Sequence, residues 1–425
     1  MGKLLRLNLK LLSPLVWALR IIVGSVFIVS GIAKLIDLWG GIYKIEQYFS
    51  VWDIPALRSI VFMIALMLSA FEFIMGLLLA TGSYKRVAAW ALLAMMSVML
   101  VFSGYIYIAN PVDDCGCFGD FIIISNGATF IKNIVLTCAL IYLAKFNPRV
   151  KGLYHRYLQW LQVAILMSYS LLISLIGYNT QPLIDFRDYR VGTPLIESDD
   201  IGSVEFIYEK NGEQEIFSED DLPDSSWLFV KRLNNDELIS ASNLVIMEDD
   251  EDITSDVIYD QGEQLLLLIP EIDRADISYT YLINEINKYI TSRGGNMIGL
   301  LATNSHGMEY WSDISMADYE LFSVEDTEVK ELARGHISLI YLKDGIIQWK
   351  RTLSSIDADL FENYTPEDNV LDRLYIDGQV RFRNITLIHL GALMVLLLFD
   401  AISIRLKRRL CRKNEKKNVT LHCEK

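Results

Sequence analysis

The sequence is poor in cysteine and histidine, and this limits the chemistry it can support. The 425 residues include five cysteines and five histidines. Two cysteines lie together, Cys115 and Cys117, and no histidine has a spacing that ties it to them. Two thiolates without a histidine or a further cysteine nearby do not complete a tetrahedral zinc site. Metal binding is therefore the least favoured role for this pair.

Two further absences concern the ends of the chain. An apolar run follows Lys3, Arg6 and Lys10, as in a signal peptide, but no A-x-A cleavage pattern follows it and more apolar runs come after it. We therefore expect a retained transmembrane helix. The basic C-terminal tail has no interleaved aromatic residues that could stack on bases. It predicts contact with the lipid bilayer and no nucleic-acid partner.

The composition instead indicates a membrane protein with an acidic soluble region. The hydrophobic fraction is 52% and the mean hydropathy is +0.29, both above the averages of soluble proteins. Residues 181–380 hold 43 of the 53 acidic residues but only 14 of the 39 basic ones. The net charge of −14 thus combines an acidic region with basic flanks.

Six apolar segments reach the length of a membrane span. They are residues 15–35, 59–81, 88–108, 129–144, 160–178 and 385–404. Because short loops rich in lysine and arginine remain in the cytoplasm, both termini are predicted to be cytoplasmic. The pair Cys115 and Cys117 and residues 179–383 then face the periplasm, and the protein lies in a bacterial inner membrane.

The loop after the first span predicts a helix over residues 42–54. Apolar and aromatic residues recur there at helical spacing, with Trp39, Tyr48 and Trp52 suited to a membrane interface. A helix that packs along the membrane surface is the favoured interpretation. A binding groove at this helix is the alternative.

The exported region combines a hairpin with an α/β pattern. Asn211-Gly212 between two alternating segments predicts a β-hairpin. From Gln264 onward, the order strand, helix, strand, strand, helix and hairpin predicts a mixed sheet with a parallel crossover. This is the order of a thioredoxin-like domain, although residues 270–273 hold no cysteine and residues 336–338 hold no proline. Docking of another protein is the role left to such a domain. The acidic run at 248–252 predicts a solvated turn rather than a calcium site.

The predicted fold is a transmembrane four-helix bundle with two further transmembrane helices and an exported α/β domain. The domains are a four-helix membrane domain (1–150), a fifth membrane helix (151–180), an exported β-rich linker (181–259), a thioredoxin-like domain without a Cys-x-x-Cys motif (260–380), and a sixth membrane helix with a basic tail (381–425).

Charged side chains within the spans are candidate site residues, because each is costly unless it faces protein or water. Arg20, Lys34 and Lys132 lie toward the ends of their spans, where lysine and arginine can reach the interface. Glu72 lies midway along its span. We expect it to pair with a base such as Arg20 for structural reasons, or to carry a proton.

Redox activity is the favoured role of Cys115 and Cys117, ahead of a structural or reduced pair. An adjacent pair in an oxidising compartment favours disulfide chemistry, and a disulfide across Gly116 would close a strained, labile ring. Nearby aspartates disfavour the reactive thiolate. Lys34 or Lys132 could offset this effect.

Residues 15–145 resemble the DoxX-like membrane family, in the branch that includes the methylamine-utilisation protein MauE. The four-helix layout and several matching residues carry the resemblance. These are Arg20 and Gly24 in the first helix, Ser30-Gly31-x-x-Lys34-x-x-Asp37-x-x-Gly40, Glu72-x-x-x-Gly76 with Gly82 after the second helix, and Asp114-Cys115-Gly116-Cys117-Phe118-Gly119-Asp120 before Phe130-x-Lys132-Asn133. Leu38 replaces a common proline. The whole chain also looks like longer, Bacteroidetes-type members of the DoxX family that carry an exported domain.

The resemblance implies a four-helix bundle with chemistry at its outer face. MauE-like members are implicated in maturing disulfide-containing periplasmic enzymes, and DoxX relatives include a subunit linked to quinone chemistry. No cofactor is certain, and a quinone is the one implied. The expected function is a thiol-disulfide redox or maturation factor for exported proteins, acting through Cys115 and Cys117. The alternative is a non-catalytic scaffold or assembly protein with a docking domain.

Overall fold

The computed structural model describes residues 2–53, 60–112, 116–195, 205–210, 213–218, 227–233, 244–248, 251–362 and 369–415. The chain divides into two compact units. The first contains residues 1–178, 182–184 and 377–425, and the second contains residues 179–181 and 185–376.

The first unit is built from long helices. Among the described residues, six helices are long and apolar enough to cross a membrane, which confirms the six predicted spans. The helices of this unit are α1 (Gly2–Ile36), α2 (Leu38–Val51), α3 (Val61–Thr81), α4 (Lys85–Ala109), α5 (Asn126–Phe146), α6 (Gln159–Asn179) and, after the second unit, α13 (Gly378–Glu415). The apolar part of α1 begins at Ser13. The protein is therefore a multi-pass membrane protein.

Asp37 separates α1 from α2. Its side chain accepts a hydrogen bond from the backbone N–H of Gly40 at 2.9 Å, and so it caps the start of α2 as short acidic side chains commonly do. The helix predicted over 42–54 is present, but it starts four residues earlier. It buries Leu38, Trp39, Ile42 and Tyr48 against the unit.

Helices α1 and α3 cross at very short range because three glycines lie at the contact. A Cβ atom on Gly31 would lie 2.5 Å from the backbone nitrogen of Phe73. A Cβ on Gly24 would lie 2.8 Å from the carbonyl oxygen of Gly76, and one on Gly76 would lie 2.8 Å from the Cβ of Phe27. Small residues let membrane helices pack closely, so these glycines set the level at which side chains of α1 and α3 meet.

Polar contacts join α6 to α13. The hydroxyl groups of Tyr169 and Thr386 lie 3.1 Å apart, and Ser168 Oγ lies 3.0 Å from His389 Nε2. Near the end of its span, Asp400 is buried and accepts hydrogen bonds from the backbone N–H of His155 and the hydroxyl of Tyr157. Polar contacts between membrane helices help to hold them together.

The second unit contains a five-stranded mixed sheet and two small sheets. Its strands are β1 (Glu205–Lys210), β2 (Glu213–Ser218), β3 (Leu228–Leu233), β4 (Met247–Glu248), β5 (Glu251–Asp252), β6 (Glu263–Ile269), β7 (Asn296–Leu301), β8 (Glu320–Ser323), β9 (Ser338–Lys343) and β10 (Ile346–Thr352). Its helices are α7 (Thr254–Val257), α8 (Thr280–Ser292), α9 (Ser305–Ser315), α10 (Asp326–Leu332), α11 (Asp359–Glu362) and α12 (Val370–Arg373).

The five-stranded sheet has the order β10-β9-β6-β7-β8. Strands β6 and β7 pair in parallel with α8 between them, and β7 and β8 also pair in parallel, whereas β9 is antiparallel to both β6 and β10. The predicted mixed sheet and its crossover are therefore present. Helix α9 between β7 and β8 was not predicted.

Strand β6 lies at the centre of this unit and is buried on both faces. Leu265 and Leu267 pack in one apolar cluster with residues of α8, while Leu266 and Leu268 pack in a second cluster with residues of α10. A strand covered by helices on both faces has a continuous apolar sequence rather than an alternating one. This explains the run Leu265-Leu266-Leu267-Leu268-Ile269.

The small sheets contain the other predicted features. Strands β1 and β2 pair antiparallel, as the hairpin prediction requires, while the turn at residues 211–212 lies outside the described residues. Glu248 and Glu251 of the acidic run lie on the short antiparallel pair β4 and β5 and are exposed. Residues 249 and 250 lie outside the described part of the chain.

Candidate functional site

The first unit contains a cavity of about 390 Å³ between α1, α2, α3, α4 and α5. Most of its lining is apolar, but several charged or polar side chains reach it. Four of the predicted site residues line it, namely Lys34, Glu72, Cys117 and Lys132. Residues that lie far apart in the sequence thus line one cavity.

Glu72 and Lys34 form the charged centre of the cavity. Lys34 Nζ lies 2.8 Å from Oε1 and 2.9 Å from Oε2 of Glu72, and the two side chains are only 13% and 5% exposed. Removing both charges from water is expensive, so a buried pair needs close geometry and further hydrogen bonds. Ser30, one helical turn before Lys34, provides one of these bonds.

Ser30 connects Glu72 to the cysteine segment. Its Oγ lies 2.7 Å from Glu72 Oε2 and 2.6 Å from the carbonyl oxygen of Cys117. A hydroxyl has one proton to donate, and a backbone carbonyl can only accept. Ser30 can therefore donate to Glu72 or to the carbonyl of Cys117 but not to both at once, so it connects Glu72 to the backbone of the cysteine segment.

The segment around Cys117 is held at the cavity by its backbone and by Lys44. Gly116 has φ +63°, a left-handed conformation that glycine adopts without strain. A Cβ on Gly116 would lie 2.9 Å from Cγ of Lys44, so the lysine stem packs directly on this glycine. Cys115 lies outside the described residues, and the predicted Cys115–Cys117 pairing therefore stays a prediction.

Helix α5 contributes Lys132 and Asn133 to the opposite wall. Lys132 Nζ lies 4.5 Å from the ring centre of Phe118, a cation–π contact. The side-chain amide of Asn133 donates to Ser103 Oγ of α4 at 3.0 Å. Both contacts hold polar groups of α5 toward the cavity, at the level of the cysteine segment.

Arg20 does not pair with Glu72, which corrects one sequence prediction. Its guanidinium donates to the backbone carbonyls of Asn147, Val150 and Lys151 at 2.9 to 3.0 Å, and to the side chain of Asn147. Arg20 precedes Lys34 by 14 residues on the same helix, which separates them by about 21 Å along the axis. The α1–α3 crossing places Glu72 at the level of Lys34, and Arg20 instead holds the chain that follows α5.

The aromatic side of the cavity lies at the helix for which a binding groove was the alternative interpretation. Tyr48 and Trp52 of the α2 region stack at 6.0 Å between ring centres, and each contacts the ring of Phe102 on α4, at 5.0 and 5.8 Å. All three line the cavity. The sequence signal was the aromatic spacing in α2, which fits both a surface helix and a cavity wall. Phe102 gave no signal, because an apolar residue within a span is ordinary.

The second unit contains a separate buried charge cluster around Asp185. Asp185 accepts hydrogen bonds from Arg187 at 2.8 and 3.0 Å and from Lys350 Nζ at 2.8 Å. Burial lowers the pKa of Lys350 to about 8, although the negative charge of Asp185 opposes this effect. Burial alone would raise the pKa of Asp185, but the positive charges of Arg187 and Lys350 outweigh it and hold that pKa well below its usual range.

The segment where a thioredoxin would have its redox pair borders a second cavity. Residues 270–273 follow the carboxyl end of β6 and line an open space of about 510 Å³ together with Thr303, Asn304, His306 and Tyr310. Ligands of open α/β sheets commonly bind at the carboxyl ends of parallel strands. This segment contains no cysteine.

The helices and the cavity define a multi-pass membrane protein with a charged pocket inside its first helices. Residues 12–146 match the family model described as Methylamine utilisation protein MauE. This match ends where α5 ends, so it covers the whole cavity-forming part of the chain. Residues 203–239 match a model described as Domain of unknown function (DUF8463). No curated protein matches the chain, and no solved structure matches it.

Proposed function

We propose that this protein is a membrane thiol-disulfide redox factor for exported proteins, acting through Cys115 and Cys117. One observation carries the proposal: Cys117 lines the same cavity as the Glu72–Lys34 ion pair, and Ser30 bridges the two. Thiol chemistry requires proton transfer as well as electron transfer, because the thiolate is the nucleophile. The MauE match over this part of the chain supports the same role.

The reaction balances as two exchange steps. A thiolate of a reduced exported protein attacks one sulfur of the Cys115–Cys117 disulfide, and the other sulfur leaves as a thiolate. The second thiolate of the exported protein then attacks the mixed disulfide at the sulfur of its own chain, and the remaining cysteine of the pair leaves as a thiolate. The exported protein gains a disulfide, and Cys115 and Cys117 become two thiols. Their reoxidation must release two electrons and two protons. Glu72, which Ser30 connects to the backbone of Cys117, is the proposed carrier of one of these protons.

The cavity fits the quinone that the resemblance implies. When bound, a quinone would supply an acceptor for two electrons and two protons. The lining of the cavity includes the hydrogen-bond donors Lys34 and Lys132 and the aromatic rings of Tyr48 and Phe102. Polar donors set in an apolar, aromatic lining suit a flat molecule with oxygen acceptors.

We propose that residues 260–380 form an exported, thioredoxin-like docking domain. The strand order, the parallel β6–β7 crossover and the antiparallel β9 support this fold. Because residues 270–273 hold no cysteine, we assign this domain to holding a partner and assign the redox steps to the first unit. We also propose that residues 179–383 lie in the periplasm of a bacterium and that both termini lie in the cytoplasm, because short loops rich in lysine and arginine remain in the cytoplasm.

Thiol trapping in intact cells tests the proposal. Maleimide-polyethylene glycol labelling of the full-length protein should show Cys115 and Cys117 more reduced when the quinone pool is reduced and more oxidised when cells are aerated. Cys138, which is exposed on α5, provides the control: Cys138→Ser should respond as the parent does. If the pair holds one redox state under both conditions, the redox role is wrong.

A maturation assay separates this role from the scaffold alternative. The Cys115→Ser/Cys117→Ser double variant should lose maturation of exported disulfide proteins while reaching the membrane at normal abundance. Unchanged maturation in that variant would favour a non-catalytic scaffold.

A further inference from the structure

We infer that the cavity binds an amphipathic molecule that enters sideways from the bilayer, with its hydrogen-bond-accepting head at Lys34 and Lys132 and its apolar tail leaving past Trp52, Val98 and Phe102. The inference deepens the proposed function and rests on it for the part that the molecule takes in the reaction. The binding itself follows from the geometry of the cavity.

The head end is defined by the charges that reach the cavity. Its lining includes three lysines and two carboxylates, namely Lys34, Lys44, Lys132, Glu72 and Asp120. The formal charge is therefore +1, and the ammonium groups are donors without acceptor capacity. Such a surface favours a head that accepts hydrogen bonds and disfavours a cationic head.

The tail end is defined by a second, apolar groove. This groove, about 690 Å³ in volume, is lined by Trp52, Ser97, Val98, Val101, Phe102 and Tyr105. Trp52, Val98 and Phe102 also line the main cavity. These three residues therefore border both spaces, and the inferred route passes between their side chains.

The groove lies on a membrane-facing surface. Val98 and Val101 are 66% and 76% exposed on the transmembrane helix α4. Apolar residues exposed on a spanning helix contact lipid chains. A molecule dissolved in the bilayer therefore reaches the charged end of the cavity without crossing the aqueous phase, with its tail still in lipid.

Binding of three probes with the same ten-carbon tail tests the ligand class. Decylubiquinone and decanoate both have acceptor heads, whereas decyltrimethylammonium has a cationic head that accepts no hydrogen bond. Decylubiquinone should quench tryptophan fluorescence of the purified full-length protein in detergent with a saturable component. Trp52→Phe should remove that component, and Trp90→Phe, which changes an exposed tryptophan of α4 outside both spaces, should leave it.

A matched pair of variants tests the route. Val98→Phe narrows the junction and should weaken decylubiquinone binding at least about tenfold, equivalent to about 1.4 kcal/mol. Val135→Phe adds the same bulk on an exposed face of α5 that lines neither space and should bind as the parent does. Equal weakening in both variants, or quenching that does not saturate, overturns the inference.

Competition with the other two probes shows which kind of head group the site accepts. Displacement by decanoate supports a site for acceptor heads in general, and failure of decanoate to displace supports a quinone-type carbonyl head. Displacement by decyltrimethylammonium with similar affinity overturns the inference.

These measurements are repeated in the Cys115→Ser/Cys117→Ser variant. Saturable binding in that variant, combined with a failed trapping experiment, retains the ligand site and rejects the redox function. If the parent shows no saturable binding but the trapping experiment succeeds, the ligand site is rejected and the redox function is retained.

Discussion

Lys34 Nζ lies 2.8 Å from Oε1 and 2.9 Å from Oε2 of Glu72, so a single lysine neutralises the one carboxylate midway along α3. The pair spans the α1–α3 crossing and faces the cavity that Cys117 also lines. The Glu72 carboxylate, which would cost free energy in a membrane span if it were unpaired, is thus part of a polar site. Its removal should affect both the stability of the protein and proton transfer.

Removing one partner of this pair should destabilise the protein. Glu72→Ala leaves Lys34 buried without its carboxylate, and breaking a buried pair in this way costs roughly 3 to 5 kcal/mol. The Lys34→Met/Glu72→Met double variant should lose less, because no unpaired charge remains. Unfolding in mixed detergent measures both. Lys145→Met, at an exposed lysine of α5, is the control, and equal losses in the single and double variants would contradict the prediction.

The α1–α3 crossing should not tolerate a side chain at Gly31. Gly31→Ala places a methyl group 2.5 Å from a backbone nitrogen, and such overpacking typically costs about 1 to 3 kcal/mol. Because the crossing also places Lys34 beside Glu72, decylubiquinone binding should weaken too. Gly391→Ala on α13, where no atom lies within 4 Å of the new methyl group, should be neutral or stabilise by about 0.5 to 1 kcal/mol. A Gly31→Ala protein with the parent's melting temperature would refute this account.

Arg20 should be structural rather than part of the redox site. Arg20→Met leaves the carbonyls of Asn147, Val150 and Lys151 without their donor, and a buried unsatisfied group costs about 1 to 3 kcal/mol. We expect a lower melting temperature but unchanged thiol trapping of Cys115 and Cys117. Arg86→Met, at an exposed arginine of the same end, should match the parent. A trapping defect at normal stability would place Arg20 in the site after all.

The Asp185 cluster predicts two pH windows, one alkaline and one acid, in which the stability of the second unit rises with pH. Since burial lowers the pKa of Lys350 to about 8, the unfolded chain binds more protons at this residue between about pH 8 and its ordinary value. Its contribution to stability therefore rises with pH across that window. Since the charges of Arg187 and Lys350 hold the pKa of Asp185 below its ordinary range, its contribution is present above that ordinary value and is lost as the pH falls below it.

Matched variants isolate these two contributions. The difference in unfolding free energy between the parent and Lys350→Met should shift in favour of the parent as the pH rises above about 8. The difference between the parent and Asp185→Asn should shift against the parent as the pH falls below the ordinary range of an aspartate, near about pH 4. Hydrogen exchange of β9 and β10 in the full-length protein measures both. A difference that does not change with pH would show that the group is not perturbed.

Much of the fold was predictable because its signals are local. A run of about 20 apolar residues specifies a membrane span wherever it occurs, and a fully apolar strand such as β6 specifies a sheet covered on both faces. Helix α9 was missed because its sequence, Ser305–Ser315, has few apolar residues and buries mainly Trp311. The sequence prediction places the start of α2 too late, because it takes Asp37 as part of a family motif and not as the N-cap of a helix.

The apolar segments are enough to assign Cys117, Lys34, Glu72 and Lys132 to the membrane part of the chain. They do not determine which cation meets Glu72, since Arg20 and Lys34 are both bases on α1. The choice between the two bases depends on the packing of α1 against α3, because the level at which two helices meet depends on how closely their surfaces approach. Gly24, Gly31 and Gly76 set that approach, which joins Lys34 to Glu72 and encloses the cavity beside Cys117.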